Sequence, residues 1–427
     1  MAIIEFISYL LFFYSYIKLF LMMYSKFKKG YFSVAMPLAF TLIIFLFIPI
    51  ILDMLFGKPD FSKYKGFDQA SMNTNSDILY NFYASFVALL IRRYIKKNKT
   101  QIGVLNSTLF YGQVYKVRYI LWFLMLLPLL AVLFSNDPSQ YLTYKVLLYN
   151  RTEEFRQTHV FVGKATLIAL ASAALLVFFL SKKGNSSLVL PKYLLYTALL
   201  FFSFWVDGKR GIIAKYLFLL LISGWILGKI KPSKIVKRGV LSLIVLTFFV
   251  ASYGKDFASS SNFDRTIYSS FRLNLGRDHT IKYTLYKEFE VVKPVLEYRG
   301  QSFLFDLLFF IPRSMWSGKP YPYAVYFVTD VLNLEREPIG WSFTTCILEE
   351  FISNFGFTGM LLAPLFLLWI CRIGDNTSNI ILTFFSILVA VFFMFTQLAA
   401  FMPLFIVFIY MVIIDKRKRI KAKNRFV

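Results

Sequence analysis

Residues 1–29 read MAIIEFISYLLFFYSYIKLFLMMYSKFKK, with Glu5 and Lys18 the only charges before Lys26. A bilayer core of about 30 Å takes roughly 20 apolar residues per helix, and residues 3–23 supply one. The stretch lacks both a basic start and a small-residue cleavage site, so it reads as a first transmembrane helix and not as a removed signal peptide. Windows of the same kind recur near 32–56, 77–92, 117–135, 160–180, 193–206, 211–228, 239–253, 343–371, 380–397 and 399–414. Composition agrees: of 427 residues 58% are hydrophobic and 19% aromatic, and the mean hydropathy is +0.60. The expected fold class is an all-α polytopic integral membrane protein with about 11 (10–12) transmembrane helices. Its expected parts are N-terminal helices over 1–253, a large outer loop over 254–342, and C-terminal helices with a basic tail over 343–427, all in one integral membrane domain.

The turns between these windows alternate in charge. One set carries Lys26, Lys28 and Lys29; Arg92, Arg93, Lys96, Lys97, Lys99, Lys116 and Arg118; Lys182, Lys183 and Lys192; Lys229 to Arg238; Arg372; and the tail from Lys416 to Arg425. Only Asp375 and Asp415 oppose them there. Cytoplasmic loops accumulate lysine and arginine, so this set is expected inside, with the C-terminus inside and the N-terminus outside. The net charge of +25 is then topology plus attraction to anionic inner-leaflet lipid, and nucleic acid is not an expected partner. Cys346 and Cys371 are too few for a disulfide framework or a thiolate metal site and read as packing residues.

On the other face, one long connection runs from Gly254 to about Gly340, with basic and acidic residues nearly balanced. Topology does not explain such a loop, and long connections usually carry function. Its segment RTIYSSFRLNLGRDHTIKYTLYKEFE (265–290) suits a short helix. FLFDLLFFI (303–311) is too short to span and reads as interfacial or re-entrant. IPRSMWSGKPYPY (311–323) must turn at the membrane surface, because its three prolines forbid a regular helix.

Four clusters could carry chemistry. WVDGKRG (205–211) places Lys209 and Arg210 in an outer turn, against the positive-inside bias. FRLNLGRDHTIKY (271–283) gathers Arg272, Arg277, Asp278 and His279; its plainer reading is an exposed face with ordinary ion pairs. TTCILEEFISNFGFTG (344–359) buries Glu349 and Glu350 in an apolar run, where a carboxylate at bilayer depth costs roughly 2.5–3.5 kcal/mol. These two are read at the mouth of a cavity, with the following NFG permitting a break in the helix. Arg313 and Lys319 lie at headgroup depth, with Trp316, Tyr321 and Tyr323 as interface anchors and sugar-stacking surfaces. No Walker loop, GxSxG, HExxH, CxxC or Asp-x-Asp pattern is present, and no metal or cofactor is expected. Cations gathered outside a cavity in the bilayer suit a lipid-linked pyrophosphate, since arginine forks bind phosphate oxygens and stabilise a departing diphosphate.

FWVDGKRG, RLNLGRDH, IPRSMWSGKP and EEFISNFGFTG, in that order over roughly 200–371, resemble the O-antigen polymerases (Wzy), or oligosaccharide repeat unit polymerases. The resemblance implies a glycosyltransferase of GT-C type helical architecture at the periplasmic face of the bacterial inner membrane. It would move a growing glycan from undecaprenyl pyrophosphate onto the non-reducing end of another lipid-linked repeat unit. Implied partners are undecaprenyl-pyrophosphate-linked oligosaccharides and membrane lipid, with a chain-length regulator and a flippase alongside. Arg210, Arg272, Arg277, Arg313 and Lys319 carry over as pyrophosphate-binding positions. A base must take the acceptor hydroxyl's proton; Asp278, His279, Glu349 and Glu350 are the candidates. An O-antigen ligase, a polymerase of the shape and division type and a flippase or other transporter are the rival readings. The transporter reading predicts charges spread through the helices and a repeated half.

Overall fold

Long runs of leucine, isoleucine and phenylalanine leave the backbone no partner in lipid but itself, and helix satisfies every interior N–H and C=O within one segment. The computed structural model describes residues 2–98, 107–143, 153–180, 189–208, 211–226, 268–269, 272–311, 313, 315–339 and 341–423. Among them the chain forms α1 (Ala2–Lys28), α2 (Ala35–Phe56), α3 (Lys65–Met72), α4 (Thr74–Lys97), α5 (Ser107–Leu133), α6 (Glu153–Leu180), α7 (Val189–Asp207) and α8 (Gly211–Ile226). There follow α9 (Asp278–Leu285), α10 (Gln301–Leu307), α11 (Tyr323–Leu332), α12 (Ile347–Phe355), α13 (Phe357–Asp375), α14 (Ile380–Phe392) and α15 (Leu398–Lys423).

Six of the described helices are long and apolar enough to cross a membrane, lying within α1, α2, α5, α6, α13 and α15. This is a helical membrane protein with several crossings. The window at 77–92 is the middle of α4, whose polar residues turn inward: Ser76, Asp77, Asn81 and Ser85 are all buried. The window at 239–253 lies outside the described residues. The window at 343–371 is two helices, because Gly356 adopts φ +59° and ψ −134° between α12 and α13, a conformation that glycine tolerates and other residues resist. The short apolar run at 303–311 is helical only over its first five residues, the end of the seven-residue α10.

The chain divides into two compact units, one comprising Met1–Thr100, Ser260–Asn376 and Ser386–Met402, the other Gln101–Ser259, Thr377–Phe385 and Pro403–Val427. In the first, α1 packs along α4, and α9 packs on α3, α4 and α12. One end of this unit is closed by Asp375. Its carboxylate accepts hydrogen bonds from Ser33 Oγ (2.7 Å), the Val34 N–H (2.7 Å), Tyr94 OH (2.9 Å) and Asn98 Nδ2 (2.7 Å), capping the start of α2 from a helix late in the chain. Lys26 Nζ donates to the Asn98 carbonyl at 2.8 Å, so three of the basic turns read as one face do meet at one end. In the second unit, α6 packs against α5, α7 and α8. Tyr196 and Tyr216 share a hydroxyl hydrogen bond, and His159 lies buried beside the rings of Tyr141 and Phe155.

At about 1.5 Å per residue, the 22 residues of α2 run about 33 Å, which sets the exposed side chains of Lys28 and Lys58 near opposite membrane faces. Single cysteines at these positions are expected to react with a membrane-impermeant maleimide from opposite sides of sealed vesicles, and labelling of both from the same side overturns the crossing.

Candidate functional site

The site begins with a proline. Pro49 has no N–H, so the carbonyl four residues earlier in α2, that of Phe45, loses its helical donor. The helix widens there into a π turn over Ile43–Phe47. The Phe45 carbonyl, near the middle of a 22-residue span, instead accepts the backbone N–H of Arg277 at 2.9 Å. Tyr80 OH donates to the next carbonyl, that of Leu46, at 3.1 Å. The segment around Arg277 is thereby held against a membrane helix, and its charged residues come with it.

Arg272 and Arg277, five residues apart, are used in opposite ways. Arg272 is bracketed by carboxylates: Nε and Nη2 donate to Asp53 at 2.6 and 2.5 Å, and Nη1 and Nη2 donate to Asp278 at 3.0 and 2.9 Å. Tyr268 OH adds a hydrogen bond to Asp53 at 2.7 Å. Gly276 lies so close that a Cβ there would overlap Arg272 Nη1 and Asp278 Oδ1. Burial alone would raise the Asp278 carboxyl, but Arg272 holds it well below the usual carboxylate range. Asp278 is therefore a poor proton acceptor. His279 packs edge-on to Phe67 and tilted against Phe61, with Nδ1 3.9 Å from Asp278, too far for a hydrogen bond. Burial keeps its imidazole neutral.

Arg277 is 3% exposed. Nη1 donates to the carbonyls of Asn274 (3.1 Å) and Gly276 (2.7 Å), and the group lies over the Phe45 ring at 5.2 Å. Among the described residues Nε has no hydrogen-bond partner and no carboxylate forms an ion pair with Arg277. Burial lowers its pKa, and the nearby Cys346, Glu349 and Asp278 oppose that shift.

Glu349 and Glu350 stand at the start of α12, whose nine residues are too few to cross a bilayer. The Ile347 N–H donates to the Phe393 carbonyl at 2.8 Å. Glu349 accepts the Cys346 N–H on Oε1 (2.7 Å) and the Cys346 thiol on Oε2 (2.9 Å). Burial pushes its carboxyl up to about 7, against the lowering influence of Cys346 and Arg277. Glu350 accepts Ser302 Oγ at 3.0 Å and is raised by burial as well. Tyr323 is buried, not at an interface: its hydroxyl shares hydrogen bonds with Ser353 (2.9 Å) and Thr284 (3.4 Å). The carboxylates thus sit inside packed protein, and the break at Gly356 follows them as the NFG triplet predicts.

In the 311–323 turn the cations brace their own backbone. Arg313 donates to the carbonyls of Lys319 (2.7 Å) and Pro320 (2.8 Å) and stacks on Tyr321 at 3.8 Å. Lys319 Nζ donates to the carbonyls of Phe309 (2.9 Å) and Ile311 (2.7 Å). Trp316 is half-buried beside them. Arg210 lies outside the described residues. Of the predicted positions, the structure brings together Arg272, Arg277, Asp278 and His279, and sets Glu349 within the electrostatic reach of Arg277. Sequence reasoning missed Asp53, Pro49 and the role of Cys346, although a lone aspartate and a proline inside one apolar window were visible signals. No family model, curated protein or solved structure matches the chain.

Removing one partner of a buried ion pair costs about 3–5 kcal/mol. Arg272→Ala is therefore expected to lower the thermal unfolding temperature markedly in detergent or nanodiscs, while Arg277→Ala, which breaks no ion pair among the described residues, changes it far less.

Proposed function

We propose that the chain is a metal-independent glycosyltransferase of surface-polysaccharide assembly. It moves a growing glycan from undecaprenyl pyrophosphate onto the non-reducing end of a lipid-linked repeat unit, at the outer face of the bacterial inner membrane and with its C-terminus in the cytoplasm. The observation that carries this reading is Arg277, a buried guanidinium without a carboxylate partner among the described residues, close enough to a raised carboxylate, that of Glu349, for each to shift the other.

In this reading the two groups divide the reaction. Glu349 takes the proton from the acceptor hydroxyl, whose oxygen attacks the anomeric carbon of the donor glycan. The bond from that carbon to the pyrophosphate oxygen breaks, and Arg277 stabilises the negative charge gathering on the departing diphosphate. Arg272 holds the segment in place. Arg313 and Lys319 shape the turn that meets the lipid headgroups, where Trp316 and Tyr321 offer faces to sugar. Burial favours the neutral acid, so Glu349 works as a base only once deprotonated, and the rate rises with pH through about 7.

The test is incubation of the purified protein with undecaprenyl-pyrophosphate repeat units in the presence of a chelator, with products separated by length. A ladder is expected. Arg277→Ala is expected to lower its rate by about 10²–10³-fold, with Arg277→Lys recovering part, because lysine keeps the charge but loses the fork. Arg277→Ala and Glu349→Gln variants that insert normally and polymerise at the native rate would sink the reading. Transfer only when lipid A core is supplied would make the enzyme a ligase.

A further inference from the structure

Helix N-caps are usually Ser, Thr, Asp or Asn, whose oxygen accepts from the first turn. At α12 the cap is Cys346, with extended backbone (φ −129°, ψ 170°), and the residue three positions on is Glu349, whose side chain reaches back to it. This is a capping box in which a thiol stands where a hydroxyl is the common choice. Cys346 is fully buried.

We propose that Cys346 is a positioning residue for the Glu349 carboxylate, its backbone N–H and its thiol each holding one oxygen. The inference rests on the reading of Glu349 as the base. The two contacts, 2.7 Å to Oε1 and 2.9 Å to Oε2, give each carboxylate oxygen a donor from one residue and so fix the plane of the carboxylate. The choice of sulfur matters because a thiol is a weak donor. A serine hydroxyl in its place would make a stronger hydrogen bond to the ionised carboxylate, favour that form and leave Glu349 a weaker base. An alanine would withdraw the bond and favour the neutral acid. The other groups facing Glu349 include Glu350 on the same helix, Arg277 before α9, Thr280 on α9, Tyr83 on α4 and Tyr323 on α11. Neither substitution touches them.

The experiment is pH-difference infrared spectroscopy of the full-length protein in nanodiscs, reading the C=O band of protonated Glu349, assigned by its loss in Glu349→Gln. In Cys346→Ser the titration midpoint is expected to fall by roughly one pH unit, a tenfold change in acid dissociation, and in Cys346→Ala to rise. The unaltered protein gives a second readout that needs no cysteine variant: the S–H stretch of Cys346 shifts at the same midpoint, and Glu349→Gln abolishes the shift. Equal midpoints in all three proteins, or an S–H band indifferent to pH, overturn the proposal. Full polymerisation by Glu349→Gln would instead remove Glu349 from the chemistry, leaving the titration result to stand.

Discussion

The hydrogen bond from the Arg277 N–H to the Phe45 carbonyl organises the charged part of the first unit. A backbone carbonyl in the middle of a membrane helix is costly to leave unpaired, and Pro49 takes away the donor that the helix would otherwise provide. Another segment must supply one, and the segment that does so is charged. Its cations are then matched one by one with acids on the surrounding helices: Arg272 with Asp53 on α2, Lys282 with Asp77 on α4 at 2.6 Å, and Lys287 with Asp330 on α11 at 3.2 Å. Buried ion pairs seldom stabilise in proportion to their number, because desolvation offsets the attraction. Their service here is registry, since each pairing suits one placement of α9 against its neighbours.

That registry leaves Arg277 as the odd cation. It is buried, and among the described residues it is answered by carbonyls and a phenylalanine ring, and it lies near one carboxylate, that of Glu349, which burial raises to about 7. A buried cation beside a carboxylate that burial raises to about 7 has capacity to respond to a ligand that brings negative charge or gives up a proton. The fully compensated Arg272 has spent that capacity on holding the segment.

Six apolar helices of spanning length were legible because lipid imposes a strict length and polarity, whereas the window at 77–92 belongs to a helix with a polar buried face that is not among those six; the break at Gly356 was legible because glycine stood where a long apolar run needed relief. The charged loop was not. RLNLGRDH shows two arginines in the same local company, and nothing nearby distinguishes them, because the partner that settles Arg272 is Asp53, 219 residues away. Arg313 and Lys319 bind backbone carbonyls, which every residue possesses and no pattern reveals. Tyr323 looks like an interfacial tyrosine from its neighbours Pro320, Tyr321 and Pro322, yet it starts a helix whose inner face is core. Asp278 and His279 read as candidate bases by residue type, whereas their surroundings fix one as an anion and the other as a neutral ring.

The Asp375 clamp has a consequence in time as well as in space. Ser33 and Val34 are made early in synthesis and their acceptor more than three hundred residues later, with separations of 342 and 341. Through most of translation the start of α2 therefore waits with its cap missing, and contacts of such long range form last. The cap of α2 thus depends on α13 being made: a product truncated before α13 has no Asp375 to accept from Ser33 and Val34.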